Sequence, residues 1–284
     1  MLTRTTIVLS VLLWIAVCAR GEQPFDSARV RALGDARGGV PASVRLADGI
    51  ALLREECAIS RSPRWGAAGG PVDSGYIQGV IVGDLAFPAA DAPDQLKDAI
   101  AHEKDAHVRD CLTVVLGEIG DQGVLPELVR IAAHDPQGAL RQSAVMALGR
   151  LALPAQAASS GTWAARKPLS SDARATVAKA LMAALADPFV RYHKGVRLHP
   201  SGYDPVTGET YVGTQEIGPD ERSLYYPVQS QAAEGLGLLG YWVKQDRVGD
   251  VVGGWRVFDK AGKQVYAVSL RVPFVRNRLD PAFD

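Results

Sequence analysis

DAHVRDCLTVVLGEIGD (105–121) and DPQGALRQSAVMALGRLA (135–152) carry one pattern twice. Val108 answers to Leu140, Arg109 to Arg141, Leu116 to Leu148 and Gly117 to Gly149, each 32 positions further on. A shorter amphipathic stretch precedes each block, Asp94 to Glu103 and then Leu125 to His134. A constant period of about 30–45 residues built from two helices is the mark of an α-solenoid, whose layers bury a face that none buries alone. The small residues of the second helix allow close approach between layers, and Leu, Val and Ile fill the space between them. Arg109 and Arg141, with an aspartate at each turn, are placed to form a polar ladder that satisfies loop backbone. Arg109, Leu116, Gly117, Asp121, Arg141, Leu148 and Gly149 therefore read as structural repeat positions rather than catalytic ones.

Asp105, Val108-Arg109, Leu116-Gly117, Ile119-Gly120-Asp121 and Pro126 make up a motif, and Asp135, Leu140-Arg141, Ala144, Ala147-Leu148-Gly149 and Leu151 repeat it. The motif resembles the HEAT-repeat family, in particular the short bacterial HEAT-like repeats of the phycobilin lyase type. The resemblance implies a stack of helix pairs, and for function it implies a binding surface of many uses. By analogy with the lyases it also offers a lyase- or chaperone-like role on a bound ligand.

A third repeat is expected in two pieces. Ser171 to Ala186 reads as a helix capped by Ser171 or Asp172, and Asp187 to Arg191 opens a turn as Asp105 to Arg109 does. The matching small-residue helix comes only at VQSQAAEGLGLLG (228–240), where Val228, Ala232, Gly235, Leu236 and Gly237 answer to Leu140, Ala144, Ala147, Leu148 and Gly149. The insert between them, about 192–227, has the turn Asp204-Pro205-Val206-Thr207-Gly208 and alternating apolar residues, which predict a β-ribbon. It holds Tyr192, Tyr203, Tyr211, Tyr225 and Tyr226, five of the eight tyrosines. These five are the candidate partner-binding residues, because tyrosine supplies contact area at low entropic cost. The other reading makes the ribbon a cap on the last layer.

The ends differ in kind. Residues 1–19 have Arg4, an apolar run of about 11 residues from Ile7 to Val17, and Val17-Cys18-Ala19. That run is short of the ~20 residues of a permanent membrane span. The combination predicts an export signal cut near Ala19, and a periplasmic or secreted protein with no transmembrane span in the mature chain. Ile15-Ala16-Val17-Cys18 resembles a lipobox and sets a lipid anchor at Cys18 as the alternative. Residues 20–92 read as an irregular region with one helix, Ser43 to Ile59, capped by Ser43. Glycines from Gly66 to Gly83 give the rest of that region a loop character, with Tyr76-Ile77 and Val80-Ile81-Val82 as short extended pieces. The repeats span 93–240, and 241–284 predicts a β-hairpin (Gly254 to Phe258, then Gln264 to Leu270) and a tail.

The predicted fold is thus mostly α, a short HEAT-like α-solenoid with an inserted β-ribbon and a C-terminal β-hairpin. Lys plus Arg equals Asp plus Glu, 31 each. A nucleic-acid partner is set aside, because it calls for a concentrated basic surface. No phosphate loop, GxSxG elbow or CxxC occurs, and no catalytic, cofactor or metal residue is assigned. His102 and His107 are five apart rather than the four that aligns two imidazoles on a helix. His193 and His199, with Asp204 and Glu209, share the insert without a diagnostic ligand spacing. Cys57 and Cys111 remain open between a disulfide and buried free thiols, Cys111 lying on the inward face of a repeat helix. The functional expectation is a non-catalytic scaffold for a protein or peptide partner.

Overall fold

The computed structural model describes residues 27–34, 39–60, 74–152, 168–194, 196–203, 210–216, 222–248 and 251–270. The predicted export signal, residues 1–19 with Cys18, lies outside them. In chain order come α1 (Ser27–Gly34), α2 (Ala42–Ser60), α3 (Ser74–Asp91), α4 (Pro93–His102), α5 (Ala106–Glu118) and a 3-10 turn (Gln122–Val124). Then follow α6 (Leu125–His134), α7 (Gly138–Leu151) and α8 (Ser171–Ala184). The insert supplies β1 (Arg191–Lys194), β2 (Val196–Tyr203), β3 (Thr210–Glu216) and β4 (Arg222–Tyr225), and α9 (Pro227–Leu238) resumes the helices. The described chain closes with β5 (Trp242–Val248), β6 (Val251–Phe258) and β7 (Gln264–Ser269).

Local chemistry sets the helix ends. Pro93, Pro126 and Pro227 sit in the first turns of α4, α6 and α9, where a missing N–H costs nothing. Asp94 and Glu127 lie in first turns, where a negative charge suits the helix dipole. Asp105 caps α5 by accepting the His107 and Val108 amides at 2.9 and 3.2 Å. Ser170 caps α8 through the Ala173 amide, one residue before the cap expected at Ser171 or Asp172. At α2 the Pro41 carbonyl takes the Val44 and Arg45 amides, and Ser43 lies inside the helix rather than at its cap. Gly120, at φ 69°, makes the turn out of α5 that an L side chain resists.

The second helices form one row. α3 packs on α5, α5 on α7 and α7 on α9, while α6 and α8 lie side by side in the row of first helices. Close approach is built from small residues: a methyl on Gly117 would run into Ala147, and one on Gly149 would sit 3.0 Å from the Gly235 Cα. The contact of Gly149 with Gly235 carries the stack straight across the insert, from α7 to α9. Leu116, Leu148, Leu181 and Leu236 are fully buried between layers.

The structure corrects the reading of 20–92 as irregular with one helix. Residues 27–34 form α1, and 74–91 form α3, not loop and short extended pieces. Glycine costs a helix about 1 kcal/mol each relative to alanine, and that cost is overridden here by burial. Ile81, Leu85 and Ala89, four apart on one face, are completely buried. The absence of a side chain on Gly49 of α2 lets Leu85 pack directly onto that helix. The helix pair α2–α3 therefore adds a layer before the three read from sequence.

The insert folds as two nested antiparallel pairs. β1 pairs β4 from Arg191 opposite Tyr225 to Lys194 opposite Arg222, and β2 pairs β3 from Val196 opposite Glu216 to Tyr203 opposite Thr210. A ribbon that leaves and returns at one point lets α8 and α9 stay in contact. The C-terminal part is a three-stranded sheet, order β5-β6-β7, rather than a hairpin alone. The expected hairpin is β6–β7, and β5 (WVKQDRV) was hidden by its charges, which edge strands carry to resist further pairing. Val252, Trp255 and Val257 are buried in the common core with α9.

Candidate functional site

Three aspartates do the same work in successive layers. Asp105, Asp135 and Asp187 each accept the amide two residues on, from His107, Gln137 and Phe189, at 2.9, 2.9 and 2.8 Å. Each arginine then reaches the aspartate of the next layer. Arg109 Nη2 lies 3.1 Å from Asp135, and Arg141 grips Asp187 with two bonds of 2.6 and 2.9 Å. Arg141 also donates to the carbonyl of its own turn, Asp135, at 2.8 Å. The bond to Asp187 keeps the Arg141 guanidinium more firmly protonated than usual.

The rungs at the two ends differ. Before the first repeat, Arg54 of α2 takes Glu103 at 2.8 Å, and the other Glu103 oxygen accepts the Asp105 amide. Burial pushes the Glu103 carboxyl up, but the bonds from Asp105 and Arg54 outweigh it and hold the group below the usual glutamate range. After the last, Gln229 stands where the repeat would have arginine, buried, and donates to the Asp187 carbonyl. It keeps the inward half of the arginine's role and drops the outward half. Asp121 is a cap, accepting the Gly123 amide at 2.6 Å. A further pair, Arg150 with Glu118, joins equivalent positions of α7 and α5.

The five tyrosines separate. The backbone places Tyr192 on β1, Tyr203 at the end of β2 and Tyr211 on β3, and their side chains lie outside the description. Tyr225 ends β4 opposite Arg191 and is half-buried, and burial pushes its phenol up. Tyr226 belongs to the interior: its ring is buried and its hydroxyl accepts the Val252 amide at 3.3 Å. A buried ring cannot meet a partner, so Tyr226 joins α9 to the C-terminal sheet instead. An aromatic residue the sequence reading passed over, Trp242 at the start of β5, is 77% exposed. His193 and His199 lie on β1 and β2 with undescribed side chains, and Asp204 and Glu209 fall outside the described residues.

One constellation was missed from sequence. Cys57 of α2 and His107 and Cys111 of α5 bring their ligand-type atoms within 4.8 Å of one another. Cys57 is buried, Cys111 half-buried and His107 exposed. A hydrogen bond with the Cys57 thiol, then burial, pushes the Cys111 thiol well above its ordinary range. Asp110, one position before Cys111, takes a hydrogen bond from Ser143 and faces His107 and Arg191. Burial nonetheless pushes its carboxyl up. His107 and Cys111 are four apart, the spacing that shares one helix face; that signal was legible, but the third member is too distant in the chain to be found.

No curated protein and no solved structure matches the chain. Residues 75–149 match the family model described as HEAT repeats. The matched span starts in α3, one helix earlier than the repeats read from sequence, and ends in the last turn of α7. With the layered packing of these helices, that match supports a HEAT-repeat family for the chain.

Proposed function

We propose that this protein is an exported, non-catalytic scaffold whose HEAT stack and ribbon bind a protein or peptide partner. HEAT repeats commonly serve protein interaction, and stacked layers offer an extended face for it. The observation that carries the reading is the ribbon. It interrupts a layer whose two helices remain packed, so it projects from the stack without being needed to join them. Tyr203 and Tyr211 occupy adjacent rungs, opposite Thr210 and Gly202. Exposed Trp242 adds an aromatic of the type that dominates interface energies. Export rests on the sequence of residues 1–19 alone, with a lipid anchor at Cys18 as its variant.

The test is crosslinking and pull-down with the full chain from its native envelope. Replacing 196–216 by a short Gly-Ser linker leaves β1, β4 and Tyr226 in place. Loss of a discrete partner at unchanged melting temperature is the expected result, with Trp242→Ala weakening capture further. Undiminished capture by both variants overturns the reading. The phycobilin-lyase likeness of the repeat motif supports a second role on a bound ligand, which a stoichiometric co-purifying small molecule would favour.

A further inference from the structure

We propose that Cys57, His107 and Cys111 form a binding site for a thiophilic d10 cation, zinc in the first instance, which clips α2 to α5. Two thiols and one imidazole are a soft donor set of the kind that selects zinc or copper(I) over magnesium and calcium. Zinc holds sulfur at about 2.3 Å and histidine nitrogen at about 2.0–2.1 Å, so its donors stand roughly 3.5–3.8 Å apart in a tetrahedral site. The three donor atoms already lie within 4.8 Å, so a small contraction closes the set.

The scaffold suits a clip. His107 and Cys111 are fixed on one face of α5, whose start is held by the Asp105 cap. Cys57 is contributed by a helix of the preceding layer, more than forty positions earlier in sequence. The exposed imidazole gives an ion a way in from solvent, and the buried sulfur of Cys57 shields the far side. Binding converts both thiols to thiolates and releases two protons, which offsets the cost of charging buried sulfur by direct bonds to a dication. The same geometry brings two thiols close enough for a disulfide, a bond that would leave His107 out and remove both sulfurs as ligands.

The experiment uses the reduced full chain and zinc ions, with native mass spectrometry for stoichiometry and cobalt(II) substitution for ligand type. One zinc per chain and sulfur-to-cobalt charge-transfer bands are expected. His107→Ala, a change at an exposed residue that leaves the core intact, should weaken zinc by at least about tenfold, as disturbing even an outer-shell partner of a metal does. Cys111→Ser should weaken the cobalt bands strongly, since Cys57 is then the one sulfur of the set that remains. Zinc should raise the urea midpoint of the wild type and leave that of His107→Ala nearly unmoved. Failure of the reduced chain to retain zinc overturns the proposal, as does unweakened binding by His107→Ala. A Cys57–Cys111 disulfide in protein isolated from its native cells without reductant overturns it too.

Discussion

Leu116 and Leu148 occupy the same place in two successive layers, each with no exposed surface. Truncating either to alanine should cost about 2–5 kcal/mol, from lost transfer energy plus the cavity left behind. Urea unfolding reads this directly, and wild-type midpoints in both variants would show the repeat register to be wrong. Glu103 yields a pH signature. Its folded carboxyl sits below the ordinary glutamate value because of the Asp105 amide and Arg54. A depressed acid contributes stability above its unfolded pKa and loses that contribution as pH falls through the folded one. The stability gap between wild type and Glu103→Gln should therefore be full at neutral pH and close below about pH 4. A gap that widens on acidification would contradict the assigned role.

Among the elements, the rung from α7 to the turn after α8 is the most demanding. Arg141 and Asp187 are both largely buried, with side-chain exposures of 13% and 7%. Removing one partner leaves the other charge buried, a cost of about 3–5 kcal/mol. Arg141→Ala should reach that range in chemical denaturation, whereas Arg130→Ala, which removes an exposed arginine from its pair with Glu127 within one helix, should change little. Equal effects would show that burial does not set the strength of the ladder. These elements also show where sequence is readable. The repeat at 105–152 was legible because each role, cap, arginine, leucine and glycine, recurs at fixed spacing. The interrupted third repeat was legible for the same reason, through Gly235 and its neighbours. α3 was not, because Gly75, Gly79 and Gly83 argue locally for a loop while the burial of Ile81 and Leu85 is a property of the neighbours. β5 was hidden likewise, since its partner supplies the pattern that its own charges obscure. The Cys57–His107–Cys111 cluster depends on layers coming together, and of the ribbon tyrosines only Tyr226 is shown to turn inward.

At the scale of the molecule, the stack is closed at one end by the sheet β5–β6–β7, joined through the Tyr226 hydroxyl and the buried Val252, Trp255 and Val257. Ending the chain after Gly240 should uncover the apolar face of α9, as a solenoid without its cap does. Dye binding to exposed apolar surface and a lowered melting temperature are expected, and an unchanged melting temperature would show that the sheet is not a cap. The ladder has a direction as well. Every arginine belongs to an earlier layer and every aspartate it holds to a later one. A nascent chain, which grows from its N-terminus, therefore presents a waiting guanidinium at its leading edge until the following turn arrives to neutralise it. A fragment halted after α7 would carry Arg141 without the Asp187 carboxylate, held only by the carbonyls of its own turn. Once α9 has docked, neutral Gln229 stands at the ladder position where the earlier layers carry a charged arginine.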